Sequence, residues 1–518
     1  MKNFFISFLF LLLIPFLSFS QTQVAKLATK EYSSYDYSNA ALHFEKMQKS
    51  DASLRSQADS YYKIQQYAKS EMAYSQLVTS PGANAQDIAN YISVLLMNEK
   101  YSDAINWMKK YSATFSDKRY SPYLEKNNLI EKLKADAGQF TIKNLDINSG
   151  QEDFGAIFYR DSVIFTSSRE EAKPAQRTWN WNKLPFLDIY IADRDGKGEL
   201  INPKPFLRQV NKKYHEGPAS FTKDYQMLAF TRNNYESTGS DGSRKLQIFF
   251  SRFKSDTASN GQIFTGWTKA VSVPFNSNDY SVGHPTFNAD GTVMYFTSDM
   301  PGGKGGTDLY RVHINPDGTW GRPQNLGDKI NTAGDEMFPF YHSSGMLFFS
   351  SNGSEGLGGL DVFVAEMKDG EIGKIKNVGV PVNSSKDDFS FVLDDGMTYG
   401  YFASNREGGK GNDDIYSYQL LKPFYFGKVI TGITKNKEGE VVEHTNVSLS
   451  DTSGNVIKTE VSNVNGKFLF VVDDEKVYNL STSRKKYLDS KTVVDSKTDK
   501  DEITVELILE KAPVTNDE

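Results

Sequence analysis

Gly283-His284-Pro285-Thr286-Phe287-Asn288-Ala289-Asp290-Gly291 opens the stretch that decides the fold. It continues through Met294-Tyr295-Phe296-Thr297-Ser298-Asp299 and a glycine cluster (Gly302, Gly303, Gly305, Gly306). Asp308-Leu309-Tyr310, Trp320 and Asn325-Leu326-Gly327 then lead to Ile330-Asn331-Thr332. Asp-Gly is a hairpin signal, because the central residues of a tight primed turn need positive φ. Short runs of β-branched and aromatic residues flank it, so the unit reads as strand, turn, strand, loop, strand, loop, strand. Short strands in fours, repeating roughly every 40 to 60 residues, are the pattern of propeller blades.

The same marks recur. A strand ends in a polar cluster at Phe165-Thr166-Ser167-Ser168-Arg169, Phe230-Thr231-Arg232-Asn233, Phe349-Ser350-Ser351-Asn352 and Phe402-Ala403-Ser404-Asn405-Arg406. The following strand opens at Asp188-Ile189-Tyr190, Gln247-Ile248-Phe249, Asp361-Val362-Phe363 and Asp414-Ile415-Tyr416. A hydrophobic-Asn step precedes each unit, at Asn148, Asn211, Asn276, Asn331 and Asn383, followed by a small or kinked position at Gly155, Pro218, Pro285, Pro339 and Ser390. These marks predict a five-bladed propeller over 139–423, with the segment near 140–147 supplying the last blade's outer strand. Such closure removes exposed sheet edges.

North of the propeller, residues 21–138 read as helical hairpins. Apolar residues recur at three- and four-residue spacing, and each second helix starts near a Tyr-x-x-small step: Tyr37 to Ala40, Tyr67 to Ser70, Tyr101 to Ala104. The repeat of about 30 to 34 residues fits tetratricopeptide hairpins. After Pro423 the pattern changes to short alternating strands with Gly-containing turns, such as Asn446-Val447-Ser448-Leu449-Ser450 and Asn463-Val464-Asn465-Gly466-Lys467. This predicts a small β-sandwich over 424–510 and a tail at 511–518. The fold class is multidomain, α plus all-β.

The chain has 518 residues, a formal net charge of −6 and no cysteine. The mild acidity argues against nucleic acid, which needs concentrated Lys and Arg. Without cysteine there is no disulfide, no thiolate metal site and no lipidated cysteine. Lys2, the apolar run Phe4 to Phe16, and small residues at Ser18 and Ser20 read as a cleaved signal peptide over 1–20.

No stretch carries a specific catalytic signature. No serine is flanked by glycines in the nucleophile-elbow pattern. The six histidines never fall in a ligand-like spacing, so neither metal nor cofactor is expected. The glycine clusters precede strands, whereas a phosphate loop precedes a helix. The recurring Asp188, Asp308, Asp361 and Asp414 read as structural, accepting backbone N–H bonds from the preceding turn; Asn331 and Asn383 are placed with them as repeat-structural residues. Asp153, Glu216, Glu336 and Asp388 precede the inner strands. They are candidates either for an acidic rim binding a cation or basic partner or for bonding the loops between blades. Trp179 and Trp181, in the long loop 170–187, are candidates for a partner surface or for packing on a neighbouring domain.

The chain resembles the PorE-type proteins of the Bacteroidetes type IX secretion and gliding apparatus. The propeller carries the resemblance through Asp290-Gly291, Gly302-Gly303, Asp308-Leu309-Tyr310, Asn325-Leu326-Gly327, Ile330-Asn331-Thr332 and Ser351-Asn352. The following domain resembles the carboxypeptidase-regulatory type through Gly427-Lys428-Val429, Val447-Ser448-Leu449, Asn465-Gly466-Lys467-Phe468 and Tyr478-Asn479-Leu480. The resemblance implies a WD-type/TolB-like propeller and a non-enzymatic periplasmic adaptor. It would be peripherally attached to the outer membrane beside a barrel of the PorP/SprF kind. The family's OmpA-like domain is not matched, so peptidoglycan binding is not expected. The alternative expectation is a periplasmic sensor whose propeller channel binds a peptide or glycan. Asp256-Thr257-Ala258 is similar to the short O-glycosylation signal of Bacteroidetes proteins.

Overall fold

The computed structural model describes residues 22–115, 119–126, 128–169, 177–257, 263–498 and 500–513. The signal-peptide segment 1–20, the first part of the tryptophan loop, Ala258 and the end of the tail lie outside the described residues. The chain divides into two compact units, Met1–Lys422 and Pro423–Glu518.

The first unit begins with helices α1 (22–33), α2 (Tyr37–Glu45), α3 (Asp51–Lys63), α4 (Tyr67–Leu77), α5 (Ala85–Met97) and α6 (Tyr101–Thr114). Short α7 (Ser121–Glu125) and α8 (Leu129–Lys134) follow. The first six pair as hairpins. In each, the turn residue is left-handed: Tyr35, Gln65 and Glu99 have φ of 59°, 60° and 59°. The next residue's N–H bonds back to Glu31, Tyr61 and Leu95 carbonyls at 2.8–2.9 Å, which satisfies the helix's last acceptors. The small residues Ala40, Ser70 and Ala104 are fully buried where the paired helices approach. Ser50 and Asn84 close capping boxes on α3 and α5. Arg55 grips Asp87 through two bonds of 2.6 and 2.7 Å, tying the second hairpin to the third.

The rest of this unit is a β-propeller. Strand β1 (Phe140–Asn144) precedes five successive antiparallel sheets. The first holds β2 (Asp153–Tyr159), β3 (Ser162–Ser167), β4 (Asp188–Arg194) and β5 (Leu200–Pro205). The second holds β6 (Glu216–Phe221), β7 (Met227–Asn233), the long β8 (Leu246–Thr257), β9 (Ile263–Trp267) and β10 (Val271–Ser272). The third is β11 (Val282–Phe287) to β14 (Gln324–Asn325), through β12 (Val293–Ser298) and β13 (Asp308–His313). The fourth is β15 (Glu336–His342), β16 (Met346–Ser351), β17 (Asp361–Lys368) and β18 (Glu371–Asn377). The fifth is β19 (Asp388–Leu393), β20 (Tyr399–Ser404) and β21 (Asp414–Leu420), and β1 is its fourth strand, with Phe140 opposite Leu420 and Asn144 opposite Tyr416. The inner strands β2, β6, β11, β15 and β19 contact one another in order, and β19 returns to β2.

Every inner strand carries a bulge at the same place, where its register shifts against the second strand. The residue there is left-handed in all five: Gly155, Gly217, His284, Phe338 and Ser390. The bulge bends the strand toward the axis. One glycine is demanded outright: Gly217 has φ of 110°, and a Cβ on it would lie 2.1 Å from Thr166 Oγ1.

The second unit holds two sheets around one core. The order β25 (Lys467–Val472), β22 (Lys428–Asn436), β28 (Glu502–Leu509) makes one sheet, with β22 and β28 parallel. The other runs β24 (Val456–Val461), β23 (Asn446–Ser450), β26 (Val477–Ser483), β27 (Lys491–Asp495). Ile430, Phe470 and Leu507 from the first pack with Val447, Leu449 and Leu480 from the second.

Candidate functional site

Each repeated asparagine has the same work. Its carboxamide accepts from the N–H and donates to the C=O of one residue in a sheet's third strand. Asn148 brackets Ile415, Asn211 Ile189, Asn276 Ile248, Asn331 Leu309 and Asn383 Val362, at 2.7–3.0 Å. The partner residue lies in the preceding sheet, so each asparagine links the end of one blade to the start of the next. Asp308 accepts from the Lys304 and Gly305 amides, Asp361 from those of Leu357 and Gly358, and Asp414 from those of Lys410 and Gly411. These carboxylates hold the glycine turns. Asp188 is half-buried at the start of β4.

The four rim candidates do not form an open rim. Asp153, Glu216, Glu336 and Asp388 are all 0 % exposed. Asp153 accepts from Ser149 N and Oγ and from Arg169 at 2.7 Å. Asp388 accepts from Ser384 N and Oγ and from Arg406. Glu336 accepts from Thr332 N and Oγ1 and from Ser351 Oγ. A hydroxyl residue just past the repeated asparagine thus ties each of these acids into its own loop. The second blade has Lys212 at that place. Glu216 thus lacks the hydroxyl donor of the other three, and burial, with Asp188 close by, pushes its carboxyl up to about 9. Burial also raises Glu336, to about 7.

The propeller axis is filled. Phe154, Phe338 and Phe389 meet with centroids 4.8–6.2 Å apart, and His284 stacks on Phe338 at 3.9 Å. Beside them remains a cavity of about 40 Å³, lined by the bulge segments of all five inner strands. That is room for a few waters at about 10–15 Å³ each, and far below the several hundred Å³ of a ligand site. Burial holds His284 near 3, so it is neutral at physiological pH.

Trp179 and Trp181 turn inward. They stack on each other at 4.9 Å, and Trp181 packs edge-on against Tyr37 at 4.7 Å. Its indole N–H donates to the Lys63 carbonyl at 2.8 Å. Trp179 covers His215. The two tryptophans therefore anchor the helices on the propeller, because an amphipathic indole gains both packing and a hydrogen bond there.

All three hairpin turns sit on this propeller face. Lys183 pairs with Asp36 at 2.6 Å. Gln65 donates to Asp413, and Tyr67 donates to Asp387, which also accepts from Asn405. Lys386 caps the Met97 carbonyl, and Ser385 donates to Glu99. Tyr123 accepts from Gly356 N and donates to Gly356 O, and Lys126 pairs with Glu355. Under these turns Glu152 and Asp413 lie side by side as an isolated parallel bridge. Burial, reinforced by their mutual repulsion at Asp413, raises both, Glu152 to about 7. No motif marked Gln65, Asp387, Asp413 or Glu152, since each is an ordinary polar residue in a loop until the chain folds.

Between the helices and the loops of the third and fourth blades lies a chamber of about 610 Å³. Tyr62, Asn90 and Ser93 face it from the helices, and Asn352, Ser354 and Gly359 from the propeller. Three cations (Lys63, Arg119, Lys304) and three acids (Asp59, Asp335, Asp361) balance around it. Among the described residues no cluster of His, Asp or Glu has metal-binding geometry.

No protein-family model matches the sequence, and no curated protein is similar to it. Among solved structures, the chain is similar to TolB from Acinetobacter baumannii, at 14 % identity and a TM-score of 0.28 over 54 % of this chain. It spans 58 % of that protein. It is similar to an α-L-arabinofuranosidase from Lactobacillus brevis, at 13 % identity and a TM-score of 0.34, over 57 % of this chain and 95 % of that one. It is similar also to a family 117 glycoside hydrolase from Zobellia galactanivorans, at 10 % identity and a TM-score of 0.35, over 54 % of this chain and 90 % of that one.

Proposed function

We propose that this protein is a non-enzymatic adaptor: tetratricopeptide-like hairpins fixed on a five-bladed propeller, followed by a carboxypeptidase-regulatory-like β-sandwich. The reading takes the five closed sheets as blades and the two C-terminal sheets as a sandwich. The observation that carries it is the seam between helices and propeller. An adaptor has to hold two binding modules in one orientation. Here all three hairpin turns, the half-buried Trp181 and the Tyr67–Asp387–Asn405 group join them. The repeated asparagines are spent on blade-to-blade bonding and most of the repeated acids on holding their own loops and turns, as expected for a rigid frame.

The signal-peptide pattern and the PorE-type resemblance supply the setting. We place the protein in the periplasm, peripherally attached to the outer membrane. Its partner is a barrel of the PorP/SprF kind, in type IX secretion, adhesin anchoring or gliding. Among the described residues no helix is long and apolar enough to cross a membrane. A sensor whose ligand sits in the propeller channel is less favoured, because aromatic side chains fill the axis. The test is a gentle-detergent pull-down from native envelopes with a C-terminal tag. A stoichiometric outer-membrane barrel is the expected result. Recovery of the protein alone in the soluble periplasmic fraction refutes the adaptor reading.

A further inference from the structure

We infer that β24, an edge strand of the C-terminal unit, is a homodimerisation surface that pairs antiparallel with β24 of a second copy of this chain. The inference goes beyond the adaptor reading and holds whatever that adaptor binds. β24 ends its four-stranded sheet, hydrogen-bonded to β23 on one side and to no strand on the other. Val456, Ile457 and Val461 are 63 %, 56 % and 57 % exposed along it. An open edge carrying apolar side chains is a template for another strand, and proteins usually blunt it with proline or unpaired charge. β24 has no proline, and its one lysine, Lys458, is neutralised by Glu460 at 2.6 Å. Its bulge, at Ile457, leaves residues 458–461 regular.

The residues of the strand select the occupant. Ser462, just past β24, donates its N–H to the Thr445 carbonyl at 2.9 Å. Bonded and unbonded pairs alternate along an antiparallel ladder, so Val461 and Thr459 turn their N–H and C=O to the open edge. A strand meeting its own copy must set edge-facing residues opposite edge-facing residues. Two centrings do this with the longest overlap, one on Lys458 and one on Thr459. The first sets lysine against lysine. The second sets Lys458 opposite Glu460, Ile457 opposite Val461 and Thr459 opposite itself. Every pair is then oppositely charged, β-branched or hydroxyl-bearing, the kinds that stabilise cross-strand contact, and two-fold symmetry makes the first two occur twice. The other edges are poorer matches to themselves. β28 centred on Thr504 sets Glu502 against Glu506, while β25 and β27 each show one exposed large apolar side chain, Val471 and Val493. Pairing through β24 joins two four-stranded sheets into one continuous sheet. It closes at the dimer, because both copies spend the same edge on it.

Analytical ultracentrifugation of the full chain without its signal segment, from micromolar to millimolar concentration, gives the test. The expected result is a reversible monomer–dimer equilibrium with no larger species. Thr459→Pro removes an edge-facing N–H, a change that edge strands tolerate, and is expected to leave the chain monomeric. Lys458→Glu and Glu460→Lys each set like charges against one another in the dimer, and each is expected to weaken it roughly tenfold or more at low salt. Mixing these two variants sets opposite charges face to face again and is expected to restore dimers containing one copy of each. That recovery requires both variants to be folded, so the test stands even where the proline variant fails to fold. Val493→Lys, on the other edge of the same sheet, is expected to leave the equilibrium unchanged. A chain that stays monomeric throughout, a dimer that Thr459→Pro and both charge variants leave unchanged, a mixture that recovers nothing, loss of the dimer on Val493→Lys, or growth beyond the dimer overturns the inference.

Discussion

Replacing Asn383 with leucine removes the side chain that brackets Val362. The carboxamide accepts from Val362 N–H at 2.7 Å and donates to its carbonyl at 2.9 Å. Asn383 is 1 % exposed and Val362 0 %, so water cannot take over. The carbonyl keeps its bond from Val378 N–H at 3.1 Å, but the Val362 N–H is left with nothing. An orphaned buried donor costs about 1–3 kcal/mol, and the lost bond to the carbonyl adds about 0.5–1.5, so the total is roughly 2–4 kcal/mol. Denaturant unfolding reads the loss, and hydrogen exchange of the Val362 amide localises it. Asn276→Leu makes the contrast. Its partner Ile248 is as buried as Val362, but Asn276 itself and its loop are half-exposed, so water can reach the vacated bonds from that side and the cost should fall to about 1–2 kcal/mol. If Asn383→Leu costs less than about 1 kcal/mol, or the two variants cost the same, the blade-linking role of these carboxamides is wrong.

Glu216→Gln should remove a pH dependence. The carboxyl is raised from an ordinary 4.5 to about 9 in the folded protein. Its contribution is fully present below pH 4.5 and is lost as pH rises through 9, so the variant should melt higher than the parent at pH 8 and alike at pH 4. Glu152→Gln should act likewise, with the parent's loss complete once pH has risen through about 7, and limited proteolysis of the helices at pH 8 should be slower than in the parent. Trp181→Ala leaves a gap against Tyr37 and an unmet Lys63 carbonyl. It should cost roughly 2–4 kcal/mol and speed cleavage between the helices and β1, while spectra of the isolated propeller core stay native. Gly217→Ala should cost roughly 3–5 kcal/mol from left-handed strain plus the clash with Thr166, whereas Gly242→Ala, where a Cβ meets no neighbour within 4 Å, should cost only the strain.

The propeller was legible because its determinants are local and repeated. Asp290-Gly291 must turn, Phe296-Thr297-Ser298 must extend, and Asp308 must meet the amides just before it, whatever surrounds them. The helical hairpins were legible for the same reason, through the Tyr37-to-Ala40 type of spacing and the stop at each turn. The acids show where such reasoning stops. Asp153, Glu336 and Asp388 stand before inner strands in the sequence, which is equally consistent with a rim or a buried tie. Only the fold shows a serine or threonine four residues earlier donating to each. Glu216 differs because Lys212 stands where that hydroxyl would be, a contrast visible in the sequence but without meaning until burial is known. For Trp179 and Trp181 the sequence leaves a partner surface and packing on a neighbouring domain equally open, because nothing local covers them; α2 and α3, more than 100 residues away, pack on Trp181.

Taken alone, the amino-acid sequence determined the elements, the repeat and the class of fold, since turn chemistry and side-chain periodicity act over a few residues. The tertiary structure decided which faces are open. It filled the propeller axis with Phe154, Phe338 and Phe389, turned the tryptophans into a seam, and left a chamber where α5 passes over the Asn352 loop. Those outcomes depend on groups far apart in the chain meeting in space, and no local rule encodes such meetings.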